Sequence, residues 1–381
     1  MKKTLFLGAL SIVMWGLMSS CERDQANDIN DAAMLAVAEQ YVNHVIAPTY
    51  GSLAEASERL VEDLKRLQTS RTDANVQTAC ATFLEARSWW EKSEAFLYGA
   101  ASDFGIDPHI DSWPLDEDGF NTLMNNSAQI NAMSGGDGDE YAGSYLGNSL
   151  LGFHGIEYIL FEDGHAKSAT LISDLQMIYA VAVAGDLRNS CFQLEVSWMG
   201  EKAPASHREK VEALELKTTI NGGNSYGDNF DMAGKAGSTY TSRTGAMMAI
   251  LDGCATIADE VGTSKIGKPY NGEDPHYIES PYSQKSIEDF YDNIISIQNA
   301  YMGGVEGQRN NSQSMHALMA ELDADVDALI THAIENALSK IRQMKAPFVL
   351  NYNDASCLEA INACQQLDEA LGKGINSLRN N

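Results

Sequence analysis

Apolar residues recur at helical spacing over most of this chain, and few stretches alternate from one residue to the next as a half-buried strand would. The longest stripe runs from Met315 through Leu318, Leu322, Val326, Ile330, Ile334, Leu338 and Ile341 to Met344, and predicts one helix that stops before Pro347. Further helices are expected from Asp28 to Thr69 with an interruption near Pro48, from Asp73 to Tyr98 before Gly99, and from Ser168 to about Met199. In the last of these, Leu171, Leu175, Ile178, Ala182 and Leu187 form the expected buried face. After the middle of the chain come Thr239 to Val261, Ser283 to Met302, and Asp354 to the C-terminus.

Periodicity fails in three places. Thr218 to Ser238 is rich in Gly, Asn, Ser and Asp, which predicts a long exposed loop. The run Asp107-Pro108-His109-Ile110-Asp111-Ser112-Trp113-Pro114 carries two prolines and is expected to be largely extended, and Gly267 to Tyr282 carries three more. Long ordered loops in compact proteins usually carry function. The pattern therefore predicts an all-α protein of two helical bundles, residues 31–205 and 206–381. Each holds about four substantial helices, the number that closes a bundle.

The N-terminus changes the picture. Lys2 and Lys3, an apolar core from Leu5 to Met18 and Ser19-Ser20 before Cys21 read as a lipoprotein leader over residues 1–20, with Cys21 as the lipidated residue. The core is shorter than the roughly 20 residues a spanning helix needs. Residues 21–30 are polar and acidic, as a tether would be. The mature chain is thus expected in the cell envelope, lipid-anchored at the outer membrane and facing the periplasm or the cell surface. The formal charge of −27 becomes −29 once Lys2 and Lys3 are removed with the leader, which argues against nucleic acid and anionic membrane surfaces as partners. Five cysteines follow Cys21, an odd number with no CxxC spacing. They read as small buried apolar residues.

Candidate chemistry centres on Gly152-Phe153-His154-Gly155-Ile156-Glu157. Three residues apart on a helix, His154 and Glu157 share a face, so they can grip one metal ion or simply hydrogen-bond each other. Gly155 and Tyr158 stand where HExxH and HxxEH metalloproteases need other residues. A zinc site of the His-Glu-His kind would need a third ligand from elsewhere, with His109, His165, His276 or a carboxylate as candidates.

The same segment, GxHxxE followed by an apolar run, resembles the signature of the imelysin family, which includes iron-regulated members. Val45-Ile46-Ala47-Pro48-Thr49-Tyr50, Arg87-Ser88-Trp89-Trp90-Glu91-Lys92-Ser93-Glu94, Asp111-Ser112-Trp113-Pro114 and Glu279-Ser280-Pro281-Tyr282-Ser283 leading to Asp289 extend the resemblance in order along the chain. It implies two helical bundles with the GxHxxE site near their junction, and two functions that disagree: metallopeptidase activity and iron uptake. Carried onto this chain, it makes His154 and Glu157 metal or ligand contacts for iron or zinc. Gly152 permits close backbone approach, Glu94 sits on a helix behind Trp90, and Asp111 and Trp113 line the site. Arg243 pairs with Glu157 or a substrate carboxylate. Ser283 and Asp289 are weaker candidates, and Ser283 or Ser286 also suits a helix N-cap. The expected partner is iron or an iron-bearing ligand, with further envelope proteins of uptake. A zinc peptidase is the alternative, and an interaction protein with a structural His–Glu pair the second alternative.

Overall fold

The computed structural model describes residues 31–220 and 222–380; the leader, Cys21 and the tether lie outside them. The chain is helical almost throughout, and a two-residue hairpin, β1 (Phe161–Glu162) with β2 (His165–Ala166), is the one sheet among the described residues. A helix over residues 31–41 passes through a π-helical turn, Val42–Ile46, into α1 (Ala47–Thr69). Pro48 falls in the first turn after that bulge, where its missing N–H costs little.

Helix α2 (Asp73–Glu91) begins where the Thr72 side chain accepts from the Asn75 N–H, a cap that contributes about 1 kcal/mol. It is shorter than its apolar pattern suggests, because the chain turns at Lys92 into a 3-10 turn, Glu94–Phe96. Helices α3 (Gly152–Leu160) and α4 (Asp174–Met199) complete the first set, and Ser173 and Gln176 close a reciprocal capping box at the start of α4. The buried face of α4 differs at its beginning from expectation. Ala182 and Leu187 are buried and Ile178 partly so, but Leu171 and Leu175 are exposed, because Leu171 lies in a separate 3-10 turn before the helix.

The second set comprises α5 (Arg243–Asp259), α6 (Ser286–Met302), α7 (Ala324–Arg342) and α8 (Ala355–Asn380). The stripe from Met315 to Met344 is two helices, Met315–Leu322 and α7. Asp323 leaves helical geometry (φ −158°, ψ 88°) and caps α7 through the Val326 N–H. α1 packs on α2 and α4, and α8 packs on α5 and α7. Past residue 205 the chain stays with the first set: the short helices Ala205–Ala213 and Tyr226–Asp231 both pack on α4. The second interrupts the expected exposed loop, because Tyr226 and Phe230 bury against Trp198 and Tyr41.

The two sets meet where α2 packs on α6 and the 94–96 turn packs on α5, and a single apolar cluster from Val37 to Leu378 runs through both. All five described cysteines are buried and free. No described helix is long and apolar enough to cross a membrane.

Candidate functional site

At the seam between the two sets the apolar core gives way to charge. Helix α3 enters this seam through Gly152, whose φ of +69° lies in the left-handed region. A Cβ there would fall 1.9 Å from the Ile110 carbonyl oxygen, so only glycine lets the two backbones approach. At Gly155 a Cβ would meet the Tyr179 hydroxyl at 2.1 Å, a side-chain tip and not backbone. One turn on, His154 Nδ1 lies 3.3 Å from Glu157 Oε2, and both side chains are buried.

The imidazole does more than face Glu157. Its Nε2 is 3.0 Å from Asp111 Oδ1, whose carboxylate also accepts from Trp90 Nε1 at 2.8 Å and from Arg87 Nη1. Asp111 is delivered by a short helix, Ile106–Ile110, in a segment expected to be extended. Pro108 is third in that helix, a first-turn position that needs no N–H, and the buried Ile106 and Ile110 hold the turn. Glu157 Oε1 accepts the Ser283 N–H at 2.7 Å, so both of its oxygens are engaged.

Arg87 is the hub. Its Nη2 lies 2.6 Å from Glu279 Oε1 and 2.5 Å from Glu91 Oε1, and its Nε is 3.9 Å from Asp289. A second buried cation, Lys265, leaves the π-helical turn Glu260–Lys265 and sits 3.2 Å from Glu279, 3.7 Å from Glu91 and 3.8 Å from Glu94. Asn293 Nδ2 donates to Glu91 Oε2 at 2.5 Å. Six buried carboxylates (Glu91, Glu94, Asp111, Glu157, Glu279 and Asp289) therefore share Arg87, Lys265 and the His154 imidazole. Acceptors outnumber donors accordingly. Glu279 Oε2, Asp289 Oδ2, Asn293 Oδ1 and Ser283 Oγ are buried without a hydrogen-bonding protein group, against one such donor, Arg87 Nε, while Glu91 Oε1 meets only the Arg87 ion pair.

The proton affinities follow from this imbalance. Burial pushes Glu91 and Glu94 well above the usual carboxylate range, and the nearby Arg87 and Lys265 do not fully offset it. Burial also lifts Asp289, to about 7, with Glu279 and Glu157 adding to the rise against Arg87. Asp111 goes the other way: burial opposes its charge, but Arg87 and the His154 hydrogen bond hold it well below the normal value. For His154, burial disfavours the cation, yet the hydrogen bonds it donates to Asp111 and Glu157 prevail and raise its pKa to about 9.

One atom each from Asp111, His154 and Glu279 lie within 4.8 Å of one another, as do atoms of Glu91, Glu94 and Asp111. Carboxylate oxygens with one imidazole suit a hard cation, and such an ion would take the place of protons held by the raised carboxylates and engage the unpartnered oxygen of Glu279. Glu157 is not in either set; it holds His154 from the opposite ring nitrogen. A cavity of about 230 Å³ bounded by Glu94, Asp107, Asp111, Trp113, Lys265 and Tyr277 adjoins the cluster. It shares Glu94, Asp107 and Glu260 with a neighbouring cavity of about 650 Å³.

Of the residues singled out from sequence, Gly152, His154, Glu157, Glu94, Asp111 and the Ser283 backbone converge here. Glu94 arrives on the 3-10 turn, not on α2. Trp113 packs tilted against Tyr277, with ring centroids 3.9 Å apart and planes at 48°, and its ring centroid is 6.4 Å from that of His154. Arg243 does not take part: its Nε binds Asp31 at 2.8 Å, tying the first described residues to α5. Neither serine caps α6. Ser286 is its first residue and donates to the Glu279 carbonyl. His109 pairs with Asp186, and His165 and His276 are exposed.

Arg87, Glu91, Lys265, Glu279 and Asn293 were not foreseen as site residues. Arg87 and Glu91 lie on the buried stripe of α2 with Val76, Cys80 and Phe83, and a charged pair on an apolar face is the signal that could have found them.

A sequence model of the imelysin family matches residues 46–373. The chain is 26% identical over 327 residues to iron-regulated protein A of Synechococcus elongatus, covering 86% of this chain and 78% of that protein. Among solved structures, one described as an iron-regulated protein A precursor from Parabacteroides distasonis superposes with a TM-score of 0.77 at 26% identity, over 91% of this chain and 95% of that one. An imelysin-like protein from Psychrobacter arcticum shares the fold, with a TM-score of 0.62 at 12% identity over 89% and 93% of the two chains.

Proposed function

The chain belongs to the imelysin family, and from that premise and the buried acidic cluster we propose that it binds iron, or an iron-bearing ligand, as a lipid-anchored envelope component of iron uptake. The carrying observation is the surplus of buried carboxylates over Arg87, Lys265 and His154, with an unpartnered oxygen on Glu279. Asp111, His154 and Glu279 would hold the ion, with Glu91 and Glu94 next to them. The name of the cyanobacterial relative, iron-regulated protein A, supports an iron-related role. A lipid on Cys21 would keep this site at the outer membrane, within reach of further uptake proteins.

A zinc peptidase fits less well. The peptidase reading makes Glu157 a zinc ligand beside His154, whereas Glu157 lies on the ring nitrogen opposite the one that faces Asp111. Both oxygens of Glu157 are occupied as well, so it has none free to serve as a base. Metal binding at His154 must release its proton, so affinity should rise with pH toward 9.

Fe(II), ferric citrate and Zn(II) titrations of the processed chain, with metal content measured at pH 6 and pH 8, test the reading. Iron should bind stoichiometrically, more tightly at pH 8, and weaken at least about ten-fold in Asp111→Asn and His154→Gln. Equal binding in those variants, or none in the parent, would sink it. Chelator-sensitive cleavage of an unfolded polypeptide, lost in Glu157→Ala, would instead establish the peptidase.

A further inference from the structure

Away from the acidic cavity beside Trp113, a further cavity of about 620 Å³ reaches the same cluster between α2, α6 and the end of α7. Its volume is that of a small-molecule pocket. Arg87 and Asp289 are among its lining residues, and Leu84, Ile287, Tyr291 and Met344 supply apolar wall. Asp289 is only 4% exposed, and its Oδ2 has no protein donor. The nearest cation, Arg87 Nε, stands 3.9 Å away, beyond hydrogen-bond reach, and that Nε has no acceptor of its own.

The remaining charges of the cavity are nearly all paired. Lys92 lies 3.6 Å from Asp292, which also accepts from Ser88 at 2.6 Å, and Lys285 lies 2.7 Å from Glu288. Arg342 is the exception. It stacks over the Tyr291 ring at 4.0 Å, and no described carboxylate lies within ion-pair distance of it. One end of the cavity thus offers a buried carboxylate oxygen that no protein donor meets. The other offers a guanidinium whose N–H edges suit a carboxylate.

We propose that this cavity binds a small organic zwitterion, its ammonium group on Asp289 Oδ2, its carboxylate on Arg342, and an apolar body along Leu84, Ile287, Tyr291 and Met344. Ser280 hydrogen-bonds the Asp289 carboxylate, so an ammonium carries the donor that Oδ2 lacks, and a bare metal ion would find a single free carboxylate oxygen at this end. The site does not depend on metal at Asp111, His154 and Glu279, and stands or falls separately from it.

The probe is 6-aminohexanoate, which has an ammonium and a carboxylate at the ends of a methylene chain, against hexylamine and hexanoate. Calorimetric titration of the metal-free processed chain should show 6-aminohexanoate binding most tightly and hexanoate most weakly. Asp289→Asn should weaken both amines about ten-fold or more, as loss of a charged hydrogen bond does. Arg342→Gln should weaken 6-aminohexanoate and leave hexylamine unchanged. Unchanged affinity in Asp289→Asn, hexanoate binding as tightly as 6-aminohexanoate, or no binding at millimolar concentration overturns the proposal. Should Asp289→Asn fail to fold, Ile287→Trp fills the cavity from its outer wall: loss of binding supports the site, and unchanged binding overturns it.

Discussion

Around Asp139 a single carboxylate oxygen accepts from Arg188 at 2.9 Å, Asn189 at 3.0 Å and Lys210 at 3.2 Å; around Arg87 a single guanidinium faces Asp111, Glu91, Glu279 and Asp289. The first knot has more donors than it needs, sits partly open to solvent, and contributes no atom to the buried unpartnered groups. The second has more acceptors than donors and is closed to solvent. Both are ion-pair networks, but only the second concentrates the unsatisfied polar atoms that a purely structural network would avoid. Proximity of charges marks neither as a site; the imbalance between donors and acceptors does.

The strongest way to break this contrast is to remove each hub. Arg87→Met leaves several buried carboxylates with one cation fewer and should cost about 3–5 kcal/mol in urea unfolding. A loss under about 1 kcal/mol would mean that the carboxylates are already neutral.

The two knots should also respond to pH with opposite sign. His154 binds its proton more tightly folded, with a pKa of about 9, than unfolded, at about 6.5. Its contribution is therefore complete below about pH 6.5 and lost as pH rises through 9, a fall of about 3 kcal/mol for the metal-free chain. Asp139 is held below its usual value: burial opposes its charge, and its hydrogen bonds to Asn189 and Lys210 outweigh that. Its contribution is present above about pH 4 and disappears as pH falls through the lowered value. Melting curves from pH 6 to 9 should flatten in His154→Gln and keep their slope in Asp139→Asn.

Next in size is Gly152→Ala, expected to lose about 2 kcal/mol, since the new Cβ meets the Ile110 carbonyl and φ is positive. Gly147→Ala, at φ −74° with nothing within 4 Å, should change thermal stability little. A similar shift in both would show that backbone approach at Gly152 does not set the geometry of the cluster. Smallest is Arg188→Met, about 1 kcal/mol or less, because Lys210 and Asn189 remain on Asp139. A loss matching that of Arg87→Met would erase the distinction between the two knots.

Much of the helical framework was legible because a stripe such as Ile330, Ile334, Leu338 and Ile341 has one burial solution on a helix. Boundaries were less so. Asp323 ends one helix and caps the next within a continuous apolar pattern, and Leu171 fits the period of α4 while lying outside it. The extended reading of the Asp107–Pro114 segment failed at its start, where burial of Ile106 and Ile110 overrides the preference before Pro108.

His154, Glu157 and the demand for glycine at 152 were readable from GxHxxE, since spacing alone places residues on one helix face. The identity of the partners was not. Glu279 stands 192 residues from Arg87, and Asp111 reaches His154 from 43 residues away. Local periodicity carries no record of such meetings. The sequence by itself determined the helices, their buried faces and the motif, because these follow from the geometry of one element. The packing of α2 and α3 against α6 and the Lys265 turn decided which carboxylates share a cation. That sharing turns a His–Glu pair into an acceptor-rich cluster.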